Sequence, residues 1–136
     1  MTSLETSIQV LAIVQFTVIG LSHLFQPRPW AEFFIRLREQ GTTGVFAVAF
    51  MSLWFGSIVV AFHNVWTGIP MVLTIIGWAQ VIKGLTYFCF PEYGLKRISY
   101  VDRERAYLYS IAGVVALGLA GLLAFDLWRR TLGVGG

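Results

Sequence analysis

Six side chains in two stretches have the types and spacing to form one small polar site. Ser22, His23 and Gln26 lie in the first stretch, and Lys83, Thr86 and Tyr87 in the second. His23 and Tyr87 are 64 residues apart, as are Ser22 and Thr86. A neutral imidazole, a phenol and an ammonium brought together would bind an anionic headgroup or a carboxylate, or relay a proton. The plainer alternative is that Ser22 and Thr86 bond back to their own helices while His23 and Tyr87 sit at an interface. Lys83 lies inside an apolar run. It is expected to snorkel to the headgroups, to pair with Glu92, or to line a polar pocket. Gln15 and Gln80 lie deeper in apolar runs. Bonding between helices is their expected role, with contact to a solute as the alternative.

Other chemistry is poorly provided for. There is no Gly-x-Ser-x-Gly elbow and no phosphate-binding glycine loop. No carboxylate is expected deep in a span beside His23. The single Cys89 stands between Phe88 and Phe90, reads as a small buried hydrophobe, and cannot form a Cys-x-x-Cys metal site. The two histidines, His23 and His63, are expected at opposite membrane faces, so one chain cannot bind haem between them. His63 and Asn64 read as turn-capping residues. The expectation is therefore no catalytic residue, no metal and no cofactor, with enzyme activity disfavoured.

The elements that must hold these residues are set by composition. Of 136 residues, 57% are apolar and 12% charged, and the mean hydropathy is +0.72. Soluble domains carry about 25% charged residues, and one this small buries only roughly two thirds of its unfolded surface. A soluble domain, a disordered chain and a disulfide scaffold are all excluded. An all-α integral membrane protein remains, as a single membrane domain over 1–136. A nucleic-acid partner is not expected, because no basic run exceeds two residues.

A span needs about 20 apolar residues. Four are expected, over about Ser7–Phe25, Gly44–Phe62, Gly68–Phe90 and Tyr107–Leu127. The start, Met1-Thr2-Ser3-Leu4-Glu5, lacks a basic n-region, so the first run is expected to be retained as a span. Trp30, Phe33, Phe34 and Leu37 follow helical spacing after Pro29, which predicts a short interfacial amphipathic helix over Trp30–Arg38. The first connection carries Arg28, Arg36 and Arg38, and the third carries Lys96, Arg97, Arg103 and Arg105. By the positive-inside rule both are cytoplasmic and both termini lie outside the inner membrane, with Arg129 and Arg130 opposing.

The chain also carries an internal echo. Val18-Ile19-Gly20-Leu21-Ser22-His23-Leu24-Phe25-Gln26-Pro27 aligns without a gap on Ile82-Lys83-Gly84-Leu85-Thr86-Tyr87-Phe88-Cys89-Phe90-Pro91. Ala61-Phe62-His63 aligns on Ala124-Phe125-Asp126. Two parallel tandem helical-hairpin repeats are expected, about 7–66 and 70–130, related by an axis along the membrane normal. A pseudo-twofold would set His23 and Tyr87 at equal depth, facing each other. The unit resembles small bacterial inner-membrane proteins in which a Gly-Leu helix ends in a Phe-Pro-type stop before a basic amphipathic stretch. That resemblance covers residues 18–38 and 82–105 and implies the fold, with no particular activity.

Small residues predict packing. Ala112, Ala116, Ala120 and Ala124 on the fourth span and Gly44, Ser52 and Gly56 on the second are expected to face each other, within a chain or between copies. The leading functional expectation is binding or translocation of a small solute or lipid-like molecule between repeats or between subunits of a homo-oligomer, with membrane lipid as the surrounding partner. The rivals are an accessory subunit of a larger membrane complex and a small enzyme acting on lipid or quinone.

Overall fold

The structure is a computed structural model and describes residues 1–133. It contains six helices: α1 (Ser3–Phe25), α2 (Pro27–Glu39), α3 (Thr42–Phe62), α4 (Met71–Cys89), α5 (Pro91–Ile98) and α6 (Tyr107–Thr131). Helices α1, α3, α4 and α6 are long and apolar enough to cross a membrane. The chain is an all-α polytopic protein with four candidate spans.

The element ends follow from local chemistry. Helix α1 starts before Ser7 because Thr2 and Glu5 form a reciprocal capping box. Helix α4 starts after Gly68, which takes φ 68° and turns the chain. Pro70 is the N-cap of α4. Helix α6 runs one turn beyond Leu127, since Asp126 pairs with Arg129 and Arg130 along it. The amphipathic helix is longer than Trp30–Arg38, because Pro27 already occupies a first-turn position. Its buried face is Ala31, Ile35 and Leu37, while Phe33 is exposed. Helix α5, unassigned from sequence, opens on Pro91 in the same way.

The breaks before α2 and α5 have closely similar geometry. Gln26 has φ −127° and ψ 54°, and Phe90 has φ −130° and ψ 67°. The Gln26 N–H donates to Ser22 O and the Phe90 N–H to Thr86 O, each at 2.8 Å.

Pairing of the spans differs from the sequence expectation. Helix α1 packs on α6 and α3 on α4, while α3 and α6 make no extended contact. Gly20 and Gly113 bring the α1 and α6 backbones together, a Cβ on either lying within 3.0 Å of the other's carbonyl oxygen. Between α3 and α4 a Cβ on Gly56 would stand 2.7 Å from Gly77 O, one on Gly77 would meet the Val59 side chain at 2.5 Å, and Gly84 lies against Ala49 and Leu53. Ala112 and Ala124 are exposed, and Gly118 and Gly121 face open space. Glycine opposite glycine allows the closest approach, so van der Waals contact is greatest in these pairings. Gly44 packs beneath the Leu37 backbone, not against α6.

Two apolar clusters close the ends of the bundle. Leu37, Val45, Val48, Ala49, Tyr87 and Ile98 form the one at the α2–α5 end. Ile8, Ala12, Val59, Leu73 and Leu123 form the other, near the 63–70 link. The α2–α5 end is tied laterally by Arg38 Nη1, which donates to Ser99 O and Val101 O at 3.1 and 2.9 Å. Arg103 adds a two-pronged bond to Glu32 at 2.8 and 3.2 Å. This hydrogen bond holds the Glu32 carboxyl below the usual carboxylate range.

A candidate intramembrane cleft

Between the two tight helix pairs lies a cleft of about 590 Å³. All four spanning helices line it, including Leu11 and Gln15 of α1, Ser52 and Ile58 of α3, Gln80 of α4 and Ala116 of α6. Its polar side chains occupy one level. Gln15 lies ten residues before Phe25, Ser52 ten after Thr42, and Gln80 nine before Cys89. At about 1.5 Å per residue that is roughly 15 Å from the α2–α5 end, half of a core about 30 Å thick. Neither glutamine amide has a protein hydrogen-bond partner among the described residues. The expected bonding between helices is therefore not what they do; both point into a space they share with apolar walls. Leu11, Phe55, Ile58 and Ile76 line the half of the cleft farther from α2 and α5.

The six side chains singled out from sequence do not form one cluster. His23 stacks on Trp30 with ring centroids 4.2 Å apart and meets Tyr109 at 5.6 Å. Its Nδ1 lies 2.9 Å from Ile19 O. The Ser22 hydroxyl accepts from the Trp30 indole at 2.8 Å rather than bonding to its own helix. Gln26, exposed at the helix break, shares a shallow hollow with Ser22, Pro29, Trp30 and Phe33. On the other pair, Tyr87 is buried in the apolar cluster, against Gly94. Thr86 donates to Ile82 O at 2.8 Å. Lys83 makes no ion pair with Glu92; its Nζ sits 5.6 Å from the Tyr87 ring centroid. His23 and Tyr87 do not face each other, because α1 packs on α6 and α4 on α3, which turns them into different interfaces.

Their surroundings nevertheless correspond. His23 packs against Trp30 and Tyr109. Tyr87 packs against Gly94, in the cluster that contains Val45. Trp30 and Gly94 are 64 residues apart, as are Val45 and Tyr109.

No match was found among protein-family models, curated proteins or solved structures.

Cys89 is exposed, contrary to expectation. It lies nine residues after Gln80, at a helical angle about 180° from the cleft-facing side at 100° per residue.

A buried polar layer at the 63–70 end was not found from sequence. Gln9, His63, Thr74 and Asp126, one from each spanning helix or its cap, are all fully buried. Asp126 accepts from Arg130 Nε at 2.8 Å, Gln9 Nε2 at 3.1 Å and Arg129 Nη2 at 3.3 Å. Thr74 Oγ1 lies 3.0 Å from His63 O and 2.7 Å from Val65 O, and accepts from Val65 N–H at 3.0 Å. Asn64 is a clamp rather than a cap, its Oδ1 accepting from the Trp66 and Trp78 indoles. The sequence signal was the Asp126–Arg129–Arg130 spacing, which puts one carboxylate a helical turn from two guanidiniums.

Burial pushes the His63 imidazole below its ordinary value. The folded protein therefore keeps His63 neutral where the unfolded chain binds a proton. The stability is complete above the unfolded value of about 6.5 and is lost as pH falls through the folded one. Thermal unfolding in detergent should shift to lower temperature as pH falls from about 7 to 5. The shift should be smaller in His63→Gln; an equal shift in both proteins would remove His63 as its source.

Proposed function

We propose that this membrane protein binds, and passes between bilayer leaflets, a small membrane-soluble molecule held in the cleft between its helix pairs. The observation carrying this reading is the level of Gln15, Ser52 and Gln80 beside an open apolar space. Gln15 is exposed and Gln80 half-buried on the protein surface that lines the cleft, so in a bilayer core both amides meet apolar surroundings; an unpaired amide there costs about 1–3 kcal/mol, which a ligand that bonds both recovers. Sites near the midplane between repeats are a recurrent arrangement in transporters.

We also propose that the chain is two tandem copies of one unit. The matching breaks at Gln26 and Phe90 support this, as do the corresponding surroundings of His23 and Tyr87. So does the correspondence of the Gly20–Gly113 contact with the Gly84–Ala49 contact, residues 20 and 84 being 64 apart. The α2–α5 end is assigned to the cytoplasm. Its basic residues support that orientation, and the opposing Arg129 and Arg130 are neutralised in part by Asp126.

The test is native mass spectrometry of protein released from membrane nanodiscs. The wild type should retain a small-molecule adduct. Gln15→Leu combined with Gln80→Leu should weaken its affinity roughly thirtyfold, at about 1 kcal/mol for each of two lost hydrogen bonds, and so lower the adduct's occupancy. Equal occupancy in both proteins, or no adduct in the wild type together with no solute flux in liposomes, would overturn the proposal.

A further inference from the structure

The cleft has a polarity of its own. Its hydrogen-bonding residues, Gln15, Ser52 and Gln80, stand at one level, and Leu11, Ile58 and Ile76 line the part beyond them. Lys83 does not line the cleft itself but stands just beyond its polar level, with its Nζ over the Tyr87 ring. It lies three residues after Gln80 and seven after Ile76, positions that share one face of α4. The rise is about 4.5 Å from Gln80 toward the α2–α5 end. Lys83 also aligns with Ile19, 64 residues earlier, and Ile19 lines the cleft. The ammonium is half-buried, and among the described residues it has no carboxylate partner and no hydrogen bond. Its single polar contact is the face of the Tyr87 ring.

A charge in the hydrocarbon is paired or lines a functional path. Resting on the cleft-binding reading above, we infer that the ligand is a long-chain carboxylate whose head is countered by Lys83 and bonded by the Gln15 and Gln80 amides. Its tail fills the Leu11–Ile58–Ile76 half. One ammonium balances one negative charge. A phosphate monoester carries about −1.5 to −2 at neutral pH and would leave charge uncompensated in a low dielectric. The amides supply donors to the carboxylate oxygens, and the ammonium a charge-assisted bond.

The test uses the full chain in phosphatidylcholine nanodiscs at mildly alkaline pH. Equilibrium binding of radiolabelled palmitic acid is compared with that of hexadecanol, which has the same chain and no charge. The wild type should bind the acid about tenfold more tightly. Lys83→Met, of similar shape and well suited to a span, should abolish the preference, bringing palmitic acid binding down to the level of hexadecanol. Lys83→Arg should retain it. Equal binding of acid and alcohol by the wild type, or a preference that survives Lys83→Met, would overturn the inference. Ala116→Trp, which fills the cleft, separates the two failures. Saturable hexadecanol binding that this variant abolishes leaves the cleft standing while the charge inference falls. No saturable binding of either probe overturns both.

Discussion

Gly56→Val should unseat α3 from α4 and lower stability by about 3 kcal/mol, the upper part of the range for overpacking a close contact. A Cβ at residue 56 would stand 2.7 Å from both Gly77 O and Val81 N. Both are backbone atoms of α4, so no side chain can turn aside. Relief comes only by moving one helix from the other, and the contact with Gly77 then opens along with it. Gly121→Val is the control, because that position faces open space. Unfolding in mixed detergent micelles measures both. Stability of Gly56→Val equal to that of Gly121→Val would mean that the α3–α4 approach is looser than described.

Asp126→Leu should lower stability by about 2–3 kcal/mol. Removing one partner of a buried pair typically costs about 3–5 kcal/mol. The value is discounted because Arg129 and Arg130 are about one third exposed and can turn toward water. Gln9 cannot. It is fully buried, loses the carboxylate, and keeps only Leu123 O as an acceptor for its amide nitrogen. Arg130→Gln should cost less than Asp126→Leu, since it leaves Arg129 on the carboxylate. The reverse order would show that Arg130, not Asp126, organises that end.

Much of the architecture was legible because spans are read from apolar length alone. The four runs, the break at Gln26-Pro27 and the amphipathic stretch after it all appear in the structure as helices or helix ends. Pairing was not legible. A stripe such as Ala112–Ala116–Ala120–Ala124 tells which face permits close approach, but α3 and α4 carry small residues too, and the stripe does not name its partner. The Gly20–Gly113 contact involves a glycine one position off that stripe. The six-residue polar cluster failed for a related reason. Residues equivalent under an approximate dyad share a depth, yet nothing brings them together unless they also lie near the axis. Gln15 and Gln80 were visible as polar groups in apolar runs, but their shared level and missing partners emerge only once α1 and α4 flank one cleft. Asp126 escaped notice because it stands close to the end of its run, where a carboxylate looks solvated.

The crossed arrangement of the spans has a consequence for how the chain is assembled. Within residues 3–62 the two long helices touch only lightly, and within 71–131 they make no broad contact. Each finds its glycine-to-backbone seat on a helix from the other half. A nick in the 63–70 link would leave two fragments that hold their shape only by clasping one another. The 63–70 link therefore joins two halves whose helices interlock, not two bundles that stand side by side.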